Sequence, residues 1–253
     1  MSSLNKMLNV LNIFGPGSLI INVDDIAKKL SLSRATAYRY VRELCDAGLL
    51  TRIDTSYTLG PRIIELDWMM RQHDPLISHG REVMADLSKN TGLTVYMSVF
   101  YDGHIINTHI ESDIKKYGFT FGRGRPLPIF KGAQSKVLVA FQKPNRLKKI
   151  YDEQIEPSDD YNLTWKEFNS ETKKIRKDGF CVTHDELNLG LTGIAAPILN
   201  LENDDIIGSI AFVGTTSAFE LFRFEAVVER LQQATARIEK GAHLDNEQVT
   251  DKT

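Results

Sequence analysis

The strongest candidates for chemistry are three arginines within nine residues of one another, Arg34, Arg39 and Arg42. Arginine binds phosphate oxygens and the edges of guanine, and the hydroxyl groups interspersed here can bond to phosphate or to bases. The surrounding segment 28–42 holds five basic residues and no acidic residue. This pattern is compatible with a surface that binds nucleic acid, although on charge alone a solvated helix face is the more common interpretation.

A helix over 33–47 would position these side chains. Ser33 is a favourable N-cap, and Gly48 ends the helix. Ala37, Val41 and Leu44 recur at helical spacing and predict the buried stripe. The residues that we predict to contact DNA from this helix are Ser33, Arg34, Ala35, Thr36, Tyr38, Arg39 and Arg42.

The segments before this helix predict two further helices. Asn22 can cap the segment "VDDIAKKL", and "SLS" makes a short turn before Ser33. A short helix, a tight turn and a basic second helix make a helix-turn-helix. The first stretch of the chain has one apolar helical face that ends at Gly15-Pro16-Gly17. The residues of that face are Leu4, Met7, Leu8, Leu11 and Phe14.

Two short alternating runs follow, "LLTRI" and "YTLG", joined by "DTS". They predict a small hairpin that acts as a wing, with Arg52 and Ser56 as candidates for backbone or minor-groove contact. Tyr40 is predicted to pack on the small core. The basic outward face, the three-helix spacing and the hairpin agree independently on a DNA-binding head.

Residues 61–72, "PRIIELDWMMRQ", predict a linker helix with a broad apolar surface. Such a helix packs on a partner subunit or on both domains, or it is an ordinary last helix of the small domain. We therefore predict a winged head over 1–60, a linker helix over 61–73 and a second domain over 74–245.

The second domain alternates helical and strand patterns and is predicted to be α+β with an antiparallel sheet of about six strands. Alternation around Asp102-Gly103 predicts a hairpin, and "YGFTF" a third strand. Further strands are predicted over 180–184, 193–199 and 206–213. Helices are predicted over 132–141, 144–154, from Thr164 to Gly179, and from about 222 to 240 with a frayed polar tail.

Catalytic chemistry has weaker support in the sequence. Cys181, His184 and Asp185 could bind a metal or hold a nucleophile, but strand alternation sends Cys181 and His184 to opposite faces. The polar loop 183–193 is either a lid over a small-molecule site or a plain surface connection. We predict no catalytic residue, no metal and no cofactor.

Composition narrows the class of protein. Of the 253 residues 42% are hydrophobic and 25% charged, which favours a packed globular core, and the net charge is only −2. No apolar run is long enough to span a membrane, and the first residues lack the pattern of a signal peptide. Two cysteines are too few for a disulfide framework, so a reducing cytoplasm is the expected location.

Three separated segments together resemble the isocitrate lyase regulator (IclR) family of bacterial transcription factors. They are "NVDDIAKKLSLSRATAYRYVRELCDAGLLTR" with "YTLGPRIIEL", "PLPIFKGAQSKVLVAF", and "IRKDGFCVTHDELNLGLTGIAAPILN". The resemblance covers nearly the whole chain. It implies a winged helix-turn-helix head, a GAF-like effector domain, and control of a metabolic operon by a small molecule.

The resemblance also implies homodimers built through the DNA-binding half, often paired into tetramers, and an effector that is an organic or aromatic acid. Three positions depart from the family pattern, Phe130, Ser135 and Gly193, and imply altered pocket chemistry. On sequence alone two other functions stay open, a metal-binding or catalytic protein and a ligand sensor whose head docks on protein. By position in the motifs, the implied effector-binding residues are Phe119, Phe121, Phe130, Ala133, Gln134, Thr183, Asp185, Leu191, Gly193, Ala211 and Val213.

Overall fold

The computed structural model describes residues 2–15, 17–101, 103–112 and 122–250, with only the backbone described for 245–250. The chain forms two compact units, Met1–Asp74 and Pro75–Thr253. The strand predicted over "YGFTF" and the candidates Phe119 and Phe121 lie outside the described residues. None of the helices in the described ranges is both long and apolar enough to cross a bilayer.

The first unit contains the three helices and the hairpin that the sequence predicts. Its helices are α1 (Ser3–Leu8), α2 (Val23–Lys29), α3 (Arg34–Asp46) and α4 (Arg62–His73), and its strands are β1 (Ile21–Asn22), β2 (Leu50–Ile53) and β3 (Ser56–Leu59). In the described part of this unit the strand order is β1-β3-β2, with both pairs antiparallel.

Caps determine where the central helices begin. The Asn22 carboxamide oxygen accepts a hydrogen bond from the Asp25 amide (2.8 Å), and the Ser33 hydroxyl accepts one from the Thr36 amide (3.2 Å). Each satisfies an amide that has no partner within the first turn of its helix. Both predicted N-caps are therefore confirmed.

The core of this unit is the predicted stripe of α3 packed on its neighbours. Ala37, Val41 and Leu44 are buried, as is Tyr40. The stripe contacts α2, the start of the wing and the first segment, through Ile26, Leu50 and Val10 among others.

The prediction of one continuous apolar face over residues 4–14 is wrong. Helix α1 ends at Leu8, and a separate 3₁₀ turn follows over Leu11–Ile13. Leu4 and Leu8 are exposed, whereas Val10 is fully buried. Because the chain leaves the α-helical path after Leu8, the 3.6-residue period no longer decides which side chains face inward.

A close backbone contact fixes the wing to the end of α3. The Gly60 amide donates to the Leu49 carbonyl (2.8 Å), and the Arg62 amide donates to the Gly48 carbonyl (3.2 Å). A Cβ on residue 60 would lie 2.1 Å from the Gly48 carbonyl oxygen. Only glycine allows the two backbones to approach this closely.

The second unit is built around an antiparallel sheet, with six strands in the described part ordered β6-β5-β4-β9-β8-β7. The strands are β4 (Thr94–Tyr101), β5 (His104–Glu111), β6 (Pro126–Leu127), β7 (Cys181–His184), β8 (Leu191–Leu199) and β9 (Ile206–Thr215). Its helices are α5 (Pro75–Thr91), α6 (Ala133–Ala140), α7 (Pro144–Ile150), α8 (Trp165–Asp178), α9 (Thr216–Phe219) and α10 (Phe224–Thr250). The predicted α+β architecture is confirmed, with the short β6 at one edge.

Helices cover both faces of this sheet. On one face α5 and α10 pack on alternate strand residues such as Val95, Met97 and Phe212. On the other face α6 packs on Ala195 and Ala211, with Ile175 of α8 behind it. A neighbouring cluster surrounds Phe168, whose ring centroid lies 4.7 Å from that of Phe130.

Two helix ends differ from the prediction. Helix α7 passes at Tyr151 into a π-helical turn that reaches Ile155. The last helix continues to Thr250, so the tail predicted to fray from residue 241 is helical. Its residues 241–250 contain no proline and only one glycine, so the polar composition offers nothing that would stop a helix already formed.

Candidate functional site

The exposed face of α3 is the consequence of its amphipathic sequence. Because Ala37, Val41 and Leu44 turn inward, Arg34, Tyr38, Arg39 and Arg42 point to solvent. The 48% exposure of Tyr38 is high for an aromatic side chain. This face therefore combines positive charge, hydroxyl groups and an accessible aromatic ring.

The arginines of this face differ in their partners. The Nε atom of Arg34 lies 2.9 Å from Asp24 Oδ1, and that of Arg42 lies 3.8 Å from Asp46 Oδ2. All four side chains are at least 65% exposed, so water screens both pairs and a phosphate could replace either carboxylate at little cost. Arg39 has no carboxylate partner among the described residues, and its guanidinium lies 5.4 Å from the Tyr40 ring centroid.

A groove on the surface joins this face of α3 to the wing. Arg52 of β2 reaches the groove next to Arg39 and Arg42, and its Nε atom donates to the Asp54 carbonyl (2.6 Å). Three arginines and one glutamate give the groove a net positive charge. The lining residues are Tyr38, Arg39, Arg42, Glu43, Cys45, Arg52 and Tyr57.

Of the predicted DNA contacts, the groove brings together Tyr38, Arg39, Arg42 and Arg52. Arg34 lies outside the groove lining and is paired with Asp24. Ser33 and Thr36 are committed to the cap, with 2.8 Å between their hydroxyl oxygens. Ala35 is exposed in the first turn of α3, and Ser56 opposes Ile53 in the hairpin. The sequence reasoning missed Tyr57, which strand alternation could have indicated.

The second unit contains a cavity between the α6 face of the sheet and the loop 185–190. Its empty space is about 460 Å³ when the opening to solvent is counted. All six described strands of the sheet contribute to its floor, and the start of α6 forms a wall. The lining residues are Tyr96, Asn107, Leu127, Gly132, Ala133, Gln134, Thr183, Glu186, Leu187, Asn188, Leu191, Thr192, Gly193 and Val213.

The alternation of side chains along each strand explains why the cavity floor contains both polar and apolar groups. In β4, Val95 and Met97 face the α5 side, so Tyr96 faces the cavity. Burial raises the pKa of the Tyr96 phenol to about 12, and this group therefore stays protonated at neutral pH. The buried Asn107 accepts a hydrogen bond from the Ser98 hydroxyl (2.7 Å).

The lack of a side chain at position 193 gives the cavity part of its depth. A Cβ placed there would contact the Thr183 hydroxyl at 3.5 Å and the Ala133 Cβ at 3.6 Å, which are ordinary van der Waals distances. A larger residue than alanine would fill this space. The glycine at position 193, where the sequence departs from the family pattern, thus enlarges the cavity next to Thr183.

The loop 185–190 is held in place by hydrogen bonds to its own backbone and to α6. Asp185, at a φ of 58°, accepts a bond from the Gly190 amide (2.5 Å). Glu186 accepts one from the Gly132 amide at the start of α6 (2.8 Å). The loop therefore covers one side of the cavity.

Six of the predicted effector residues line this cavity: Ala133, Gln134, Thr183, Leu191, Gly193 and Val213. Three others do not. Phe130 packs against Phe168 beyond the turn that precedes α6, and Ala211 is fully buried beneath α6. The Asp185 carboxylate accepts a hydrogen bond from the Gly190 amide of its own loop.

Sequence reasoning missed the residues whose place depends on contacts distant in sequence. Three of these are Tyr96, Asn107 and Leu127, which come from three different strands. Alternation along β4 could have indicated Tyr96. The bulge between Met97 and Ser98 shifts the register with β5, so the position of Asn107 could not be read from the sequence.

The catalytic alternative is not supported by the geometry. Cys181 is buried against the sheet, whereas His184 is exposed and contacts the Thr192 hydroxyl at 2.8 Å. Burial raises the pKa of the Cys181 thiol to about 12, which is the opposite of what a nucleophile or metal ligand needs. With Asp185 bound to Gly190, the three side chains do not converge on one point.

Two family models match the chain. The IclR helix-turn-helix domain matches residues 3–54, and the C-terminal domain of the bacterial transcriptional regulator IclR matches residues 70–240. The chain is 24% identical over 245 residues to the HTH-type transcriptional regulator KdgR of Escherichia coli K12, covering 95% of this chain and 90% of KdgR.

Solved structures share the same fold. A putative IclR regulator from Silicibacter superposes with a TM-score of 0.83 and 20% identity, covering 96% of each chain. An IclR homologue from Microbacterium hydrocarbonoxydans, solved in complex with 4-hydroxybenzoate, has a TM-score of 0.74 and 20% identity, covering 96% of this chain and all of that one. At these identities the likeness is one of fold.

Proposed function

The chain belongs to the IclR family of bacterial transcriptional regulators. On that premise we propose that its first unit binds DNA and its second unit binds an effector. It is a DNA-binding regulator of a metabolic operon that responds to a small organic effector. Residues 1–60 form the DNA-binding head, 61–73 the linker and 74–245 the effector domain. It acts as a regulator rather than an enzyme, in the cytoplasm where the chromosome lies.

DNA recognition is assigned to α3 lying in the major groove, with the wing against the backbone. The observation that supports this most directly is the groove in which Arg39, Arg42 and Arg52 meet. Arg39 is the best candidate for reading a base, because no carboxylate competes for its guanidinium among the described residues. Arg34, Arg42 and Arg52 are assigned to phosphates, with Ser33, Ala35, Thr36, Tyr38 and Ser56 as flanking contacts.

Arg39→Ala is expected to weaken binding to the operator by about 1–3 kcal/mol and to relax preference at one base position. Fluorescence anisotropy with the native upstream region, compared with random duplex over a range of salt concentrations, measures both effects. Arg81→Ala, an exposed arginine of the second unit, is the matched control and should leave affinity unchanged. An unaltered base preference in Arg39→Ala would reject this role, and no binding of any duplex at low salt would reject the DNA-binding function.

We propose that the chain acts as a homodimer, with pairing of dimers into tetramers as a further step. The apolar residues of α4 support this, because Ile64, Trp68 and Met70 are all more than half exposed. Large apolar side chains exposed on several sides of one helix are typical of a segment that packs against a protein partner. A dimer would present two heads to half-sites about one or two helical turns apart.

Trp68→Glu is expected to raise the dissociation constant of the dimer by about 30-fold or more, since buried interface tryptophans often contribute about 2 kcal/mol. The fold should survive because Trp68 is 63% exposed in the single chain. Light scattering over a concentration series measures the change, with Gln72→Glu on the same helix as control. If both variants dimerise like the parent chain, the interface lies elsewhere.

The effector is assigned to the cavity under the loop 185–190. Its apolar walls and its few polar groups support the binding of a small organic molecule. An organic or aromatic acid is the class that family resemblance suggests. Binding would alter operator affinity by favouring one placement of the heads over another.

A further inference from the structure

The polar side chains at the start of α3 are already engaged within the protein. The Ser33 hydroxyl accepts a hydrogen bond from the Thr36 amide (3.2 Å), and the two hydroxyl oxygens are 2.8 Å apart. The Arg34 Nε atom lies 2.9 Å from Asp24 Oδ1, and its guanidinium carbon lies 5.7 Å from the centroid of the Tyr38 ring. Reading a base through these groups would require such contacts to be exchanged or shared.

Ala35 lies between these groups, on the outermost line of the helix. At about 100° per residue it stands nearly opposite the buried stripe of α3, whereas Arg34 and Thr36 lie to either side of it. Ala35 is exposed, and its side chain is a single methyl group. The centre of the first turn therefore presents a small apolar surface to the solvent.

This position is the one from which a base edge is most accessible. In helix-turn-helix proteins the N-terminal residues of the second helix contact base edges in the major groove, and a small side chain there lets the helix approach closely. Of the four bases, thymine alone places an apolar group, its C5-methyl, in that groove. Because the Ala35 methyl makes no hydrogen bond, thymine is the base with which it can form a favourable contact.

Arg39 lies one turn further along the same face, four residues after Ala35. This spacing corresponds to about 6 Å along the helix axis, or about two base-pair steps. Arg39 is the proposed reader of a base, and arginine most often selects guanine. The two side chains can therefore contact bases about two positions apart within one half-site.

We propose that Ala35 is a specificity-determining residue that recognises the C5-methyl group of a thymine, about two base pairs from the position that Arg39 reads. This inference rests on the proposed DNA-binding function and turns Ala35 from a flanking contact into a base contact. Recognition is then apolar at the first turn of α3 and polar one turn later. A half-site without this methyl group would be bound more weakly even when all its hydrogen-bonding groups are unchanged.

Replacing thymine by deoxyuridine removes the methyl group and leaves base pairing and every hydrogen-bonding group in place. Versions of the native upstream region, each with deoxyuridine at one thymine, are titrated with the full-length chain by fluorescence anisotropy. At one thymine of each half-site the replacement should lower affinity about fourfold, the loss expected for one methyl group removed from an apolar contact. This scan needs no protein variant.

Ala35→Gly removes the methyl group on the protein side. It should bind the unmodified operator about fourfold more weakly and should no longer distinguish thymine from deoxyuridine at that position, because the contact is already lost. Ala47→Gly, the same change at the exposed far end of α3, is the matched control and should keep the distinction. Because each variant is compared on two duplexes, a general loss of helix stability cancels.

Two results would overturn the inference and leave the DNA-binding function standing. One is operator binding that no deoxyuridine replacement weakens. The other is a loss that stays the same size in Ala35→Gly, which would assign the thymine to another residue. If the parent chain binds no duplex at low salt, the proposed DNA-binding function fails and the inference fails with it.

Discussion

Replacing Leu44 by alanine is expected to lower the free energy of unfolding of the first unit by about 2–5 kcal/mol, the cost of a cavity in a packed core. Leu44 is 1% exposed and belongs to the cluster that joins α3 to the first segment, α2 and the wing. The small size of this unit leaves few other contacts to compensate. Urea unfolding followed by circular dichroism measures the loss.

Two variants of the same helix separate stability from recognition. Glu43→Ala changes an exposed neighbour and should keep the stability of the parent chain. Tyr38→Ala should also remain stable but should weaken operator binding, since its ring lies in the positively charged groove. A Leu44→Ala chain that unfolds at the same urea concentration as the parent would show that α3 does not depend on this stripe.

Phe168→Ala is expected to cost about 3–5 kcal/mol in the second unit, the range observed when a fully buried phenylalanine is truncated. Its ring contacts three aromatic side chains, with centroid distances of 4.7 Å to Phe130, 5.5 Å to Tyr151 and 5.9 Å to Trp165. Aromatic pairs add to the effect of burial alone. The loss should therefore exceed that of Leu44→Ala.

Trp165 provides a local probe for this variant because it lies in the same cluster. Its fluorescence should shift to longer wavelength in Phe168→Ala as water reaches the ring, and thermal unfolding should begin at a lower temperature. Lys166→Ala, an exposed position of the same helix, is the control. If Phe168→Ala melts at the temperature of this control, the cluster contributes little to the fold.

The head could be predicted from sequence because its determinants are local. The caps at Asn22 and Ser33, the stripe of α3 and the short hairpin each depend on residues a few positions apart. The same kind of reasoning failed for residues 4–14, where a local irregularity after Leu8 interrupts the period. Periodicity predicts a helical face only as long as the helix continues.

The cavity could be predicted only in part, since it is assembled from distant segments. Positions carried over from the family motifs identified α6 and β8 residues such as Gln134 and Gly193. The ion pair of Lys136 with Glu186 joins residues fifty positions apart, and no spacing rule predicts it. Phe130 lies outside the lining of the cavity, because a motif gives the position of a residue but not the direction of its side chain.

The contact between Gly48 and Gly60 has a consequence for how this regulator can diverge. Any side chain at position 60 would collide with the backbone at the end of α3, so we expect substitutions there to destabilise the head whatever operator the protein serves. The arginines of α3 are exposed and can be exchanged without disturbing the core. After a gene duplication, changes on the exposed surface of α3 could therefore produce a regulator of a new operon, while the backbone contact between Gly48 and Gly60 stays unchanged.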